Sequence, residues 1–433
     1  MSEPWIVKHL DLSQGPQDIP ASDRGHLLVF WWRDLPLGTK ALSPAELPFR
    51  RGHVAALAAE MIADQALARA GAPMRAGIDG APISPIRPTD APGELLPLLD
   101  RVAGRPAPAA DLLSVVICTR DRPAMLAACL DSLTAQRCPP GQVVVVDNAP
   151  SASAREVAAG RNGVTYVHEP RPGLSIARNA GVAAASGEIV AFTDDDVELP
   201  DNWTGEIVRA FEDPSVDAVT GLVLPARLDT AAQRAFELDL GGFTQRYVPL
   251  RFDARFLEAT RAMGPQVWRI GAGANMAFRR AVFAALGGFD ERLGAGASGC
   301  SEDSEYWYRI LAAGGVCLYE PRAYVRHHHR RTWPELRAQY RAYMRGHVSA
   351  LVVQADRYGP SGDATRIFKQ LPIYFAKTAL GAVQTLSGWR LALLAHEVTG
   401  WAQGLGYLCR PGWRRRERRA AAPEPLAREI RHA

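Results

Sequence analysis

Three adjacent carboxylates, Asp194-Asp195-Asp196, close an apolar run over residues 189–193. Side by side they repel one another, and each resists ionising unless a cation compensates. Oxygen donors of this kind suit Mg²⁺ or Mn²⁺ shared with phosphate oxygens. The plainer alternative is an acidic turn capping a helix opened by Pro200. Further on, Ser301-Glu302-Asp303-Ser304-Glu305-Tyr306-Trp307 opens a helical stretch to about residue 313. An acid in a first helical turn is favoured by the dipole alone, or it is a general base placed to take a proton from an attacking hydroxyl. In Tyr324-Val325-Arg326-His327-His328-His329, strand geometry would put His327 and His329 on one face, where one could complete a metal site; a surface or hydrogen-bonded histidine is the alternative. Gly173-Leu174-Ser175-Ile176-Ala177-Arg178-Asn179-Ala180-Gly181 is either an ordinary helix or a helix holding the Arg178 guanidinium beside a diphosphate.

The elements around these residues alternate. Apolar strands are expected over residues 113–119, 143–146, 164–168 and 189–193, with helices over 123–135 and 174–185 between them. Continuous apolar strands alternating with helices imply a mostly parallel sheet covered on both faces. Such sheets bind ligands at the carboxyl ends of their strands, where Asp147 and Asp194 to Asp196 fall. Upstream, the run Leu27-Leu28-Val29-Phe30-Trp31-Trp32 and a helical stretch over 54–70 read as a small N-terminal module, residues 1–70. Dense Pro, Ala and Gly then suggest a linker over 71–110. A catalytic domain over 111–332, a helical extension over 333–410 and a basic tail over 411–433 complete the division.

Taken in order, Thr119-Arg120-Asp121-Arg122-Pro123, Val144-Val145-Val146-Asp147, G-L-S-I-A-R-N-A-G, T-D-D-D, Gly271-Ala272-Gly273-Ala274-Asn275, Gly287-Gly288-Phe289-Asp290-Glu291 and S-E-D-S-E-Y-W resemble the family 2 glycosyltransferases. The resemblance covers residues 113–331, about half the chain. It implies an α/β fold of GT-A type, a mostly parallel sheet with flanking helices, here with the N-terminal module and the C-terminal helical extension added. It also implies a nucleotide-diphosphate-sugar donor, Mg²⁺ or Mn²⁺, and transfer to an acceptor hydroxyl with inversion. By the same resemblance Asp147 holds the nucleobase, and Thr119 and Arg120 line the nucleotide pocket. Arg178 meets the diphosphate. Asp194, Asp195 and Asp196 look like the D-x-D region, Asp195 serving the ribose and Asp196 the metal and diphosphate, with Asp194 a further donor and metal candidate; the histidine cluster read above adds His327 or His329 as a metal ligand. Gly273 and Asn275 face the donor sugar, and Asp303 is the catalytic base. Processive members carry Q-x-x-R-W after the base, whereas this chain reads Gln339-Tyr340-Arg341-Ala342-Tyr343, so single-sugar transfer is expected. The expected setting is cell-surface polysaccharide or glycolipid synthesis, with a glycan or lipid-linked acceptor.

Bulk properties narrow the alternatives. The chain has 433 residues, 47% of them apolar and 22% charged, which suits a globular protein of more than one folding unit. A formal net charge of +4 does not argue for a nucleic-acid partner. The six cysteines show no disulfide-like or zinc-like spacing. No apolar run reaches bilayer-spanning length and no secretory signal is evident, so the expected location is cytoplasmic, with a peripheral position on the inner face of the cell membrane as its variant. Arg337, Arg341 and Arg345 at four-residue spacing and the Arg414 to Arg419 tail are either solvated or in contact with anionic lipid. Residues 367–409 suit helices packed on the catalytic domain or lying in a membrane interface. A nucleotidyltransferase would announce itself with a glycine-rich phosphate loop in the first βα turn, which here reads T-R-D-R-P. A non-catalytic nucleotide-sugar-binding relative would be expected to lack the base or the acidic triplet, and both are present.

Overall fold

The structure is a computed structural model that describes residues 4–69, 74–75, 92–243, 246–359 and 361–408. The expected tail over 411–433 and residues 76–91 of the expected linker lie outside them. The strands, in chain order, are β1 (Ile6–Asp11), β2 (His26–Trp32), β3 (Leu35–Leu42), β4 (Met74–Arg75), β5 (Leu113–Thr119), β6 (Gln142–Asp147), β7 (Val164–His168), β8 (Ile189–Asp194), β9 (Val197–Glu198), β10 (Ala218–Pro225), β11 (Leu250–Phe252), β12 (Asn275–Arg279) and β13 (Cys317–His327).

The main sheet runs β4-β11-β13-β10-β12-β8-β5-β6-β7, with β9 paired to β13. Strands β8, β5, β6 and β7 are parallel neighbours, and β12 is antiparallel to both β8 and β10. The apolar runs explain this. On β5, Val116 enters one buried cluster while Val115 and Ile117 enter another; on β6, Val144 and Val146 oppose Val145 in the same way. Side chains alternate across a strand, so a run apolar at every position must be covered on both faces. One face is covered by the helices Leu174–Ala184, Arg280–Leu286 and Glu302–Ala312, the other by Pro123–Thr134 and Trp203–Ala210. The carboxyl ends of β5, β6 and β8 bring Thr119, Asp147 and Asp194 to one edge.

The N-terminal strands form their own sheet, β1-β2-β3, yet they are not free of the rest. Trp31 belongs to the main core and packs on Tyr324, 4.6 Å between centroids. The buried Arg322 of β13 reaches Asp34 at 2.8 Å, Glu206 at 3.0 Å and the Val102 carbonyl at 2.9 Å. The segment read as a linker contains a helix, Pro92–Ala103, whose Leu99 and Ala103 close the core of the N-terminal sheet. Proline density upstream hides this helix, whose only internal breaker is Pro97.

After β13 come a long helix, Trp333–Tyr358, and a hairpin of two more, Leu371–Gln384 and Gly388–Leu408. The last packs closely on the first. A Cβ on Gly400 would meet the Arg341 carbonyl oxygen at 2.3 Å, and one on Gly404 would meet Val348 Cβ at 2.8 Å, so the backbones touch where side chains are missing. Among the described residues no helix is long and apolar enough to cross a membrane.

Candidate active site

At the carboxyl edge of the sheet, one ligand atom from each of Asp194, Asp196 and His327 lies within 4.8 Å of the other two. Asp194 ends β8, His327 ends β13, and Asp196 sits in the turn that β9 draws back onto β13. His327 Nε2 is 3.3 Å from Asp196 Oδ1. Arg122 Nη1 donates to Asp196 Oδ2 at 3.0 Å and to Asp195 Oδ1 at 3.2 Å, and Arg330 Nη1 lies 3.4 Å from Asp196 Oδ2. Burial alone would raise the Asp196 carboxyl, but the His327 charge and hydrogen bond, with Arg330 and Arg122, outweigh it and hold it below the usual range. Burial raises Asp194 against the pull of Arg178, and burial with the Asp196 charge pushes Asp195 up to about 6.

Arg178 joins this group to the base candidate. From the helix Leu174–Ala184 its Nη1 donates to Glu302 Oε1 at 2.6 Å and its Nη2 to the Gly273 carbonyl at 3.1 Å; Nη2 also lies 3.6 Å from Asp194 Oδ1. Glu302 is buried, and burial, only partly offset by Arg178, raises it to about 7. Its neighbour Asp303 is half-buried and faces a cavity of about 850 Å³. Asp303 Oδ1 accepts from the Ser304 amide at 2.6 Å, which steers the carboxylate. Ser301, immediately before, is held at φ 71°, a conformation a non-glycine residue adopts only where the surroundings impose it. A Cβ on Gly273 would lie 3.0 Å from both Asp303 Oδ2 and Arg178 Nη2, so this glycine leaves room for the pair.

The carboxylates gathered here are Asp194, Asp195, Asp196, Glu302 and Asp303; the guanidinium groups against them are Arg122, Arg178 and Arg330. The surplus is negative, and the convergent donors are two carboxylate oxygens and one imidazole nitrogen. That donor set and charge fit Mn²⁺ or Mg²⁺, whose remaining positions water and phosphate oxygens would fill.

Of the residues singled out in the sequence, Arg178, Asp194, Gly273, Asp303 and His327 line the cavity. Others stand behind them. The Thr119 hydroxyl donates to Asp195 Oδ2 at 2.7 Å and orients it. Arg120 is exposed, its nearest carboxylate being Asp121 at 3.9 Å, and it does not line the cavity. Three expectations need correction. Asp147 is fully buried and its oxygens accept from the Ala149 and Ala154 amides at 3.0 and 2.7 Å and from the Tyr166 hydroxyl at 3.2 Å. It anchors the loop after β6, is closed off from solvent and does not line the cavity. Asn275 is also fully buried: its Nδ2 donates to the Leu222 and Ala323 carbonyls at 3.1 and 2.6 Å, and its Oδ1 accepts from Trp203 Nε1 at 3.0 Å. The β10–β13 pairing shifts register between Gly221 and Val223, and Asn275 satisfies carbonyls at that irregularity instead of facing a sugar. His329 lies outside the converging group. It sits 3.1 Å from His327, Nδ1 to Nδ1, and 3.0 Å from Glu237 Oε2, so it orients His327 from behind.

Arg122, Arg330, Glu302 and Glu237 were not singled out as site residues. Arg122 was legible in the T-R-D-R-P turn and Arg330 directly follows the histidines, but nothing local marks Glu237, which arrives from a distant segment. Nor does Arg337, Arg341 and Arg345 form one solvated face, because Arg345 Nε donates to the Ser298 carbonyl at 2.5 Å.

Part of the chain is similar to known proteins. Residues 114–287 match the profile of Glycosyl transferase family 2. The pre-mycofactocin glycosyltransferase of Mycobacterium tuberculosis is 27% identical over 313 residues, covering 68% of this chain and 61% of that protein. The succinoglycan biosynthesis protein ExoM of Rhizobium meliloti is 28% identical over 221 residues, covering 49% and 65%. The O-antigen chain rhamnosyltransferase WbaN of Salmonella anatum is 25% identical over 267 residues, covering 58% and 79%. The chain thus spans about three fifths of the length of the mycobacterial relative. The mannosyltransferase PcManGT of Pyrobaculum calidifontis, solved with GDP-Man and Mn²⁺, superposes with a TM-score of 0.47 at 21% identity, covering 71% of this chain and 92% of that one. The acidic strand end and the buried arginine lie inside the segment that matches Glycosyl transferase family 2, and the helix-borne carboxylate pair follows it.

Proposed function

We propose that the protein moves a single sugar from a nucleotide-diphosphate-sugar to an acceptor hydroxyl with inversion, in the making of a cell-surface polysaccharide or glycolipid. The observation that carries this reading is the placement of Asp303 in the cavity on the same Arg178 network that reaches Asp194. Asp194, Asp196 and His327 would hold a divalent cation, which when bound supplies charge to stabilise the leaving diphosphate. Arg122 and Arg330 stand beside that group and are suited to phosphate oxygens. Glu302, paired to Arg178, holds that arginine in place. Asp303 takes the acceptor proton as the acceptor oxygen bonds to the anomeric carbon and the bond from that carbon to the diphosphate oxygen breaks. Curated relatives named for O-antigen and succinoglycan synthesis support the polysaccharide setting. The nucleobase is placed against the carboxyl ends of β5 and β6, the strands that lead to Arg120 and to the loop anchored by Asp147.

The test is a panel of UDP-, GDP-, dTDP- and CDP-sugars with Mn²⁺, followed by thermal shift and by release of the nucleoside diphosphate. A ligand that binds only the folded state raises its apparent stability. A metal-dependent shift and nucleoside diphosphate release with one donor are expected; no shift and no release with any would overturn the reading.

A further inference from the structure

The C-terminal helical hairpin turns two unlike faces to its surroundings. Arg366, Leu371, Tyr374 and Glu397 line the cavity. The other face is apolar and bare. Phe368, Ile373, Leu380 and Val383 are 63, 46, 60 and 57% exposed, and Leu391 and Val398 are 39 and 38% exposed. Pro372 and Ala376 fall between Phe368 and Leu380 at helical spacing, and Ala395 between Leu391 and Val398; all are exposed, so each helix shows a stripe. At the turn between them Leu386 is 92% exposed and held at φ 50°. Its amide and that of Ser387 bond back to Val383 and Ala382, a helix-ending position that glycine normally fills. A large apolar residue at that tip is costly to the fold in water and makes sense where the tip is not in water.

Charge identifies the occupant. Lys369 and Lys377 are exposed beside the stripe. Between residues 364 and 408 the one carboxylate is Glu397, and it is buried against the Tyr374 hydroxyl at 3.0 Å. A face of bulky apolar side chains with exposed lysines and no exposed acid complements a bilayer carrying anionic headgroups. The chain beyond residue 408 carries Arg414-Arg415-Arg416 and Arg418-Arg419, a charge that opposes its folding over the lysines and suits the same surface. Neither helix is long and apolar enough to cross. We infer that the hairpin 366–408 lies in the plane of an anionic membrane, its Leu386 tip and the Phe368–Val383 stripe among the lipid headgroups and the cavity opening beside them. A chain seated this way would meet acceptors carried on lipid; that consequence rests on the transferase reading, whereas membrane binding does not.

Co-sedimentation of the full chain with phosphatidylcholine vesicles, and with an equimolar mixture of phosphatidylcholine and phosphatidylglycerol, tests this. Binding to the mixed vesicles that weakens with salt is expected, with Lys369→Glu and Lys377→Glu each weakening it roughly fivefold. The pair Leu380→Ser and Leu386→Ser should abolish it while nucleoside diphosphate release in solution and Tm stay unchanged. If that pair unfolds the protein, the lysine variants decide. No binding to either vesicle overturns the assignment. So does binding unaffected by these variants but lost on deleting residues 410–433, which would place it in the tail. A dimer in solution that Leu380→Ser splits, without vesicle binding, would make the face an interface between copies and overturn it too.

Discussion

Asp303→Asn keeps the size of the side chain and its bond from the Ser304 amide but removes its basicity. Donor affinity should survive while turnover falls by roughly 10²–10⁴. Glu302→Gln separates the two neighbours. It leaves the buried Arg178 a neutral acceptor in place of its 2.6 Å carboxylate partner, so the loss should appear in stability as well as rate, on the order of 3 kcal/mol for an uncompensated buried charge. If Glu302→Gln stops turnover with Tm unchanged and Asp303→Asn does nothing, the base is Glu302. His327→Ala and Asp196→Asn should each weaken Mn²⁺ binding in calorimetric titration. His329→Ala should weaken it less, since His329 acts only through His327. Equal losses from His327 and His329 would make both ligands. Asp194, Asp303 and Arg178 were singled out by the order of their motifs, since each alone also reads as an acidic turn, a carboxylate favoured by a helix dipole or an ordinary helix residue. Asp147 and Asn275 misled for a common reason: a short polar side chain at a sheet edge serves a ligand or a nearby backbone equally well, and sequence does not show which is nearer.

At the scale of elements, the hydrogen bonds of Asn275 bind β12 to the irregular stretch between β10 and β13 and to the helix Trp203–Ala210. Asn275→Leu should therefore cost about 3 kcal/mol or more, leaving the buried Leu222 and Ala323 carbonyls and the Trp203 indole without partners, read as a lower denaturation midpoint. Gly400→Val should separate the helices Trp333–Tyr358 and Gly388–Leu408, because its Cβ has no room against the Arg341 carbonyl. The expected readout is lower stability together with weaker donor-dependent protection, since Tyr340, Tyr343 and Met344 of the first helix and Glu397 of the second line the cavity. Strands β5, β6 and β8 were readable from their apolar runs, which have no other way to be buried. The helix Pro92–Ala103 was not, because it depends on the N-terminal sheet that its Leu99 covers.

For the whole molecule, Glu397 makes stability depend on pH. Burial raises its carboxyl to about 7, the Tyr374 hydrogen bond only partly opposing it, whereas in the unfolded chain the ordinary value of 4.5 returns. The folded state then holds the proton more tightly, so this contribution is full below pH 4.5 and is lost as pH rises through 7. The loss amounts to at most about 3 kcal/mol, from about 1.4 kcal/mol per pKa unit. Glu397→Gln should flatten the fall in Tm between pH 5 and 8; an unchanged slope would mean that Glu397 is not the group responsible. The N-terminal sheet bears on the same scale. Arg322, held by Asp34 and Glu206, ties it to β13, the strand that ends in His327.

Local pattern was enough for the alternating strands and helices, for the acidic triplet at a strand end and for the carboxylate pair opening the helix Glu302–Ala312. Each depends on residues within one element, and burial leaves such patterns few solutions. Only the tertiary structure decided which carboxylates remain open to a ligand. Asp194, Asp196 and His327 converge because β8 and β13, far apart in sequence, end at the same edge. Asp147 holds a loop, and one oxygen of Glu302 holds an arginine that folding carries to it. Hydrogen-bond reach is a few ångströms and is blind to sequence distance, so the division between residues that act and residues that hold them belongs to the fold.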